Sequence, residues 1–335
     1  MLGSYPKRTL LVADIGGTNA RFALIDPNQS VPTLSELKVL QCSDFASLQH
    51  ATEHYLSLVS ASPTKAAVAV ASPVTGDEIR LTNRAWSFSQ KEFKEHLNFD
   101  QLHVLNDFGA VAYSIPALTQ DDTVTLHGMY SELTSGPISI LGPGTGLGVA
   151  LLVGDQHRGW NAVATEGGHV SFAPLNDEEY LIARWLTARF GRASTERLLC
   201  GTGLSHIYAA LDDKDFSIAL NPNATFIDPA EIVKAALDGH DLKSRRALAR
   251  FCSVLGSVAG DIALIHGARK VFIAGGMVPR FIPFLRSSSF REKFLSKGRM
   301  TIFVESVSIH VITHPMPGLL GAARFLKSTD NHSAT

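Results

Sequence analysis

Cysteine is scarce in this chain: three residues in 335, Cys42, Cys200 and Cys252, lie far apart and form no CxxC pair. Their spacing makes neither a zinc site nor a disulfide framework, and so sparse an odd count is the pattern of reduced thiols in a cytosolic protein. A surplus of one charge is equally lacking. Thirty Lys and Arg face 31 Asp and Glu, for a net charge of −1, so neither nucleic acid nor an acidic membrane is favoured as the main partner. No apolar stretch approaches the ~20 residues that span a bilayer. The run after Lys7 and Arg8, Leu10 to Ala13, stops at Asp14 and is too short for a signal peptide. The sequons at Asn28 and Asn223 therefore read as chance matches in a soluble, cytoplasmic protein. What is present is ordinary for a globular protein with a sizeable core, 18% charged and 45% hydrophobic residues, and unlike a disordered chain. A length of 335 residues suggests two domains. No low-complexity or Pro-rich linker separates them, so a boundary falls inside a structured crossing.

Hydrophobic spacing divides the chain into recognisable elements. TLLVADIGG (9–17) and NARFALID (19–26) are two strands paired across a Gly-Gly turn. A strand follows near 38–43, a helix over 45–60, strands at 65–71 and 78–83, and a helix from the capping box Ser89/Glu92 to about Asn98. LHVLND (102–107) is a strand with a polar end, feeding a helix over about 108–117. The opening pattern then returns: ISILGPGTGLGVALLVG (138–154) is again strand, Gly/Thr turn and strand, about 130 residues after the first. Two such turns in matching contexts suggest a duplicated architecture with a phosphate-binding turn in each half; two unrelated glycine hairpins are the alternative. Beyond 176 the spacing predicts helices at 176–190, 195–212, 229–238 and 241–268, a strand at 270–276, a helix opened by Pro279, and a strand region at 301–313. The last helix (317–328) has small residues on one face, suited to close packing and small sliding on a neighbour, before a frayed DNHSAT tail.

Four motifs carry chemistry. ADIGGTNAR sets Asp14 at a strand end, before Gly16, Gly17 and Thr18, whose backbone and hydroxyl donors suit an anion. A carboxylate beside phosphates calls for a cation between them, which points to Mg²⁺ held through water; a hairpin turn with a capping Asp is the plainer reading. GPGTGLG (142–148) is neither a Walker A loop nor a Rossmann fingerprint, yet it can line a phosphate with backbone donors, Thr145 adding one more. Asp107-Phe108-Gly109 imitates a protein-kinase triplet, but no HRD-type catalytic loop precedes it. Asn106 and Asp107 are better taken together at a strand end, with Asp107 as a helix N-cap the structural alternative. In TEGGHVSF, Glu166 and His169 have a Glu-x-x-His spacing, but two intervening glycines argue against a helical metal half-site and for a polar loop that hydrogen-bonds hydroxyls. Glu196 in STERLLCG reads on spacing alone as a capping-region acid just as well as a ligand.

Together these segments resemble the bacterial glucokinase family, within the superfamily of sugar kinases, actin and heat-shock ATPases. ADIGGTNAR, SPVTG, LTNRAWSFS, LNDFGAVA, LGPGTGLGVA, EGGHVSFAP, STERLLCG, FIAGG and HPMPGLLGAA occur in the family's order. CGTGL (200–204) departs from it by carrying Thr202 where relatives often have proline, and the cysteine-rich zinc motif of the repressor-type sugar kinases is lacking. The resemblance implies an α/β, two-lobed actin-like ATPase (ribonuclease H-like) fold with a central cleft. The small α/β domain would comprise 1–117 plus 317–335, and the larger α+β domain 118–316. It implies transfer of the ATP γ-phosphoryl group to the 6-hydroxyl of glucose, the first step of glycolysis, with Mg²⁺ and a homodimeric, cytoplasmic enzyme that engages no nucleic acid or membrane. Asp107 is then the base, with Asn106, Glu166, His169 and Glu196 as sugar ligands. Asp14, Ile15, Gly16, Gly17, Thr18 and Asn19, then Gly142, Gly144, Thr145 and Gly146, are the two phosphate segments, and Gly275-Gly276 is the adenosine segment. A broader hexokinase, a non-catalytic sugar or nucleotide sensor, and an actin-like or chaperone-like ATPase are the competing readings.

Overall fold

A computed structural model of the chain describes residues 9–29, 31–81 and 86–332. Lys7, Arg8, the 82–83 end of the expected 78–83 strand, part of LTNRAWSFS and the last three residues lie outside that range. The chain divides into two compact units: Met1–Thr119 with Gly154–Ala164 and His314–Thr335, and Gln120–Val153 with Thr165–Thr313. The sequence division has no counterpart of Gly154–Ala164, which belongs to the first unit.

The first unit is built on a five-stranded sheet of order β3-β2-β1-β4-β7. The strands are β1 (Leu10–Ile15), β2 (Asn19–Ile25), β3 (Ser35–Gln41), β4 (Lys65–Val70) and β7 (Gln101–Asn106); β5 (Glu78–Arg80) and β6 (Ser87–Ser89) form a separate pair. β1 and β2 are antiparallel, while β4 runs parallel to β1 and β7 to β4. The period-2 alternation of β1 decides which layer each residue enters. Leu11, Ala13 and Ile15 face the cluster containing Phe22, Tyr55 and Phe93, from β2, α1 (Leu48–Val59) and α2 (Gln90–His96). Leu10 and Val12 face the other layer, with Leu319, Ala322, Ala323 and Leu326 of the C-terminal helix. The capping box holds: the Ser89 hydroxyl accepts the Glu92 N–H at 3.1 Å. α3 (Asp107–Ser114) is capped by Asn106, whose side-chain oxygen accepts the Gly109 N–H at 3.0 Å, so Asp107 is the first helical residue and not the N-cap.

The second unit carries five strands of a six-stranded sheet, in the order β10-β9-β12-β13-β8: β8 (Thr123–His127), β9 (Ile138–Pro143), β10 (Leu147–Asp155), β12 (Lys270–Ile273) and β13 (Ser308–Ile312). β9 and β10 are antiparallel across Gly144–Gly146, and β12 is parallel to both β9 and β13. Strands β8 and β11 (Gly159–Thr165) escape a reading by periodicity because neither buries a residue and both carry polar residues. Helices α4 (Asp177–Phe190), α5 (Gly201–Ala210), α6 (Ser217–Leu220) and α7 (Pro229–Asp238) precede the longest, α8 (Leu242–His266). By length and a mean hydropathy of 1.6 over its most apolar window, α8 is a helix that a bilayer could accept, which corrects the expectation that no stretch comes close. It serves as a core helix instead, burying Leu248, Phe251, Leu255 and Ala263 in the unit's main cluster.

Three further corrections have local causes. The expected 195–212 helix is broken: Thr195–Arg197 is a single 3-10 turn, and Cys200 is extended (φ −148°, ψ 179°) before α5 begins. The break frees the Gly201 N–H to donate to Gly144 O at 2.9 Å, a bond that a continuous helix would forbid. After α9 (Ile282–Ser287) and α10 (Phe290–Leu295), residues Thr301–Glu305 form a helix, α11, instead of strand, with Val304 buried and Ile302 82% exposed. One-sided burial overrides the strand propensity of Ile, Phe and Val there. The last helix, α12 (Pro317–His332), runs past Ser328 into the tail taken as frayed.

The small-residue face of α12 is a contact without slack. A Cβ on Gly321 would overlap the Ala110 carbonyl of α3, so there is no room for the sliding its small residues allow in principle. Gly321→Ala, and Gly321→Leu more so, is expected to destabilise the fold by at least about 1–3 kcal/mol, read as a lowered urea midpoint at unchanged m-value. An unaltered midpoint would show that the helices separate at little cost.

Two buried histidines give the second unit its acid sensitivity. Burial, with Arg189 and Arg197 nearby, holds His206 down at about 4, in a nest of Trp185, Phe190 and Phe226 rings. Burial and the Lys270 charge likewise hold His310 at about 4, between Thr125 and Ser308. A histidine held neutral when folded is protonated first when unfolded. Stability is therefore fully present above about pH 6.5 and is lost as pH falls toward 4, by up to roughly 3 kcal/mol for His206. His206→Phe should flatten denaturation midpoints between pH 6.5 and 4; a slope identical to that of the parent chain would contradict this.

Candidate active site

Hairpin geometry explains the first turn. In the β1–β2 ladder Ile15 pairs with Ala20 and Asp14 with Arg21, leaving Gly16, Gly17 and Thr18 as the bend. The Gly16 N–H donates to Asn19 O at 2.9 Å to close it, while Thr18 O accepts the Cys42 N–H and Asn19 Oδ1 accepts the Gln41 side chain at 2.8 Å. The turn is thus held from the β3 side, and Thr18 stands exposed. Ile15 is buried and Asn19 already engaged in β2, so the part of this segment free to meet a ligand is narrower than the motif.

Asp14 lies two residues before the bend. Its carboxylate pairs with Arg21 at 3.4 Å, and a Cβ on Gly318 would lie 2.9 Å from its Cγ, so the first turn of α12 presses its backbone onto the acid. Burial pushes the Asp14 carboxyl above its usual range, and Arg21 pulls it back. Arg21 was inside the motif but passed over. Antiparallel pairing across a short turn would have placed it opposite Asp14, because positions that sum to 35 face each other.

Asn106 and Asp107 sit where β7 ends and α3 begins. The Asn106 oxygen caps α3 and its nitrogen donates to Ser72 O at 3.4 Å, fixing the amide at both ends. Ser72, from the SPVTG segment, is held in turn by its hydroxyl bond to Arg80 O at 2.6 Å. One Asp107 carboxylate oxygen accepts the N–H of Phe108 at 2.8 Å, and the side chain is half-buried at the helix N-terminus, where a negative charge is favoured.

In the second unit, Glu166, His169 and Glu196 come together. His169 Nε2 is 3.8 Å from Glu166 Oε2, and its Nδ1 is 3.8 Å from Glu196 Oε1. These are ion-pair distances, longer than direct hydrogen bonds, which leaves polar atoms for a hydroxyl-bearing ligand. Gly167–His169 is one 3-10 turn, as its two glycines demand: a Cβ on Gly168 would overlap the Leu147 carbonyl, and one on Gly167 would touch Val149 at 3.0 Å. The Thr165 hydroxyl ties the same turn to Val149 O at 2.9 Å.

The glycine loop lies directly beside this trio. Gly142 is within β9, buried opposite Gly148, so the loop proper is Gly144–Gly146, with Thr145 exposed. Gly144 N–H donates to Gly146 O at 2.8 Å, and Gly144 O accepts from Gly201 N–H. Gly275, at φ +93° beyond the end of β12, meets the end of β9 just before the loop; any Cβ there would overlap Pro143 O, which is why this position takes glycine. Gly276 has open space around it. Glu196 is not a cap for its own turn: its Oε2 accepts the Leu147 N–H at 2.9 Å, at the end of the loop. Gly201 and Leu147 act through backbone N–H groups, which no side-chain pattern marks.

A model of the Glucokinase family matches residues 11–329. The chain is 41% identical over 320 residues to the glucokinase of Cronobacter sakazakii, covering 95% of this chain and 97% of that protein. It is 42% identical over 326 residues to the glucokinase of Chromohalobacter salexigens, covering 96% and 99%. Among solved structures, a glucokinase from an Antarctic psychrotroph superposes with a TM-score of 0.82 at 37% identity, covering 96% of this chain and 99% of that one. Mixed sheets layered with helices, the two glycine turns and the carboxylate–histidine trio thus occur in a chain matched end to end, and the chain belongs to the glucokinase family.

Proposed function

We propose that Asp107 is the general base of the reaction that family membership assigns to this chain, ATP-dependent phosphorylation of glucose to glucose 6-phosphate and ADP. An alcohol is a weak nucleophile, and a carboxylate within hydrogen-bond reach takes the proton of the 6-hydroxyl as the O–P bond forms. The observation that carries the sugar site is the meeting of Glu166, His169 and Glu196 beside Gly144–Gly146 in one unit. In this reading Asn106, Glu166, His169 and Glu196 hold sugar hydroxyls. An analogue lacking one of those hydroxyls leaves a polar group unpaired, which is the source of selectivity among hexoses. Gly16–Thr18 and Gly144–Gly146 present backbone donors to the nucleotide phosphates, and Gly275-Gly276 receives the adenosine.

Asp14 fits a magnesium ion held through water. It is one carboxylate beside a donor-rich turn, and among the described residues no group of three or more His, Cys, Asp or Glu is placed to cage a metal by itself. Mg²⁺ keeps waters and takes phosphate oxygens as ligands, so a single carboxylate beside the phosphate turn is enough to hold it in this reading. When bound, the ion neutralises charge on the transferring phosphoryl group. The actin-like ATPase assignment, a homodimeric state and a cytoplasmic location belong to the same reading and rest on family resemblance.

Asp107→Asn keeps size and some hydrogen bonding but cannot take the proton. A loss of roughly 10²–10⁴ in kcat is expected, with a much smaller change in glucose affinity. Near-normal turnover in a preparation shown free of host kinase would remove Asp107 from the role. Gly144→Val tests the phosphate loop at a position with room for a Cβ, whose nearest atom would be Gly146 O at 3.9 Å. Weaker ATP binding by calorimetry at an unchanged melting temperature is expected; unchanged ATP affinity would take the loop out of the nucleotide site.

A further inference from the structure

Glu196 has two neighbours of different kinds. Its Oε2 accepts the Leu147 N–H at 2.9 Å, and its Oε1 faces His169 Nδ1 at 3.8 Å. Leu147 is the first residue after the Gly144–Gly146 bend, so one carboxylate touches both the end of the glycine loop and the trio beside it. The contact is close: a Cβ on Gly146 would overlap Glu196 Oε2, so any side chain there must push the carboxylate aside. At Gly144, two residues earlier, a Cβ would meet only Gly146 O at 3.9 Å, so the two glycines of the loop differ in what surrounds them. Glu196 is only 26% exposed, and its 3-10 turn is anchored by the Thr195 N–H on Val170 O at 2.9 Å. That anchor limits how far the side chain can move without moving the loop.

We propose that Glu196 is a shared positioning residue that couples sugar binding to the conformation of the glycine loop, so that glucose and ATP raise each other's affinity through this one carboxylate. The proposal rests on the reading of Glu196 as a sugar ligand and adds its second attachment. A hydroxyl that binds one carboxylate oxygen fixes the rotamer of the other, which holds the Leu147 N–H and with it the loop. Linkage makes the effect reciprocal: a loop set by phosphate holds Glu196 in place for the sugar.

The test is calorimetric titration of glucose with and without the non-hydrolysable analogue AMPPNP. The parent chain is expected to bind glucose at least about 5-fold more tightly with the nucleotide present, the lower end of ordinary coupling factors. In Gly146→Ala the new methyl takes the place of Glu196 Oε2. Glucose affinity without nucleotide should then fall about 10-fold, although residue 146 offers no side chain to a sugar. Should that variant prove unfolded by circular dichroism, Glu196→Asp serves instead. It keeps the charge but is too short to reach both partners, and the coupling factor should drop to about 1. Parent-like glucose affinity in folded Gly146→Ala, a parent-like coupling factor in Glu196→Asp, or no coupling in the parent chain would each overturn the proposal. Glu196→Ala separates it from the reading beneath: undiminished glucose binding there would remove Glu196 from the sugar site altogether.

Discussion

The candidate site depends on backbone coming very close to backbone and side chain, and glycine is what allows it. Around β9 and β10, Gly146 admits the Glu196 carboxylate, Gly168 admits the Leu147 carbonyl and Gly275 admits the Pro143 carbonyl. Each contact brings a polar group, one carboxylate and two main-chain carbonyls, against a backbone that carries no Cβ. The result is a loop, a carboxylate–histidine trio and a strand start held by N–H and C=O groups, rigid without large side chains. Such a framework suits phosphate and hydroxyl ligands, which are read by hydrogen-bond direction more than by apolar fit.

Two acid clusters elsewhere show how well-partnered buried charges tie helices of the second unit together. Asp213 accepts the Trp185 indole N–H at 2.7 Å and the Ile218 and Ala219 N–H groups at 3.0 and 2.9 Å. Burial pushes its carboxyl up, but these donors together hold it below the usual range. Arg250 bridges Glu178 and the buried Glu179 at 2.6 and 2.7 Å, tying the start of α4 to α8. Removing one partner from either arrangement would leave a buried charge, which is why such groups specify a packing more than they add to its stability.

In the first unit the corresponding constraint is helix against helix. α12 joins the layer under β1 and rests on α3, so the backbone of Gly318 sits on Asp14 and that of Gly321 on Ala110. The last segment of the chain thereby fixes the surroundings of an acid near its beginning. Spacing along the sequence shows small residues on one face of this helix; only packing shows which atoms they touch.

Local chemistry made much of this protein legible from its sequence. Alternation and glycine pairs marked both strand–turn–strand units, Ser89 and Glu92 marked a helix start, and motif order pointed to the family, because these features act over a few residues through backbone geometry and hydrogen bonding. Elements whose identity depends on distant partners were not legible. β8 and β11 are strands that bury no residue, the turn at Glu196 breaks a helix to bond Gly144, and Thr301–Glu305 turns helical because one side is buried. Residues of the site divide the same way. Asp14, Asn106, Asp107, Glu166 and His169 stand out by type and local setting. The attachment of Glu196 to Leu147 joins positions 49 residues apart, and only the tertiary structure, by bringing two backbones together, decides it.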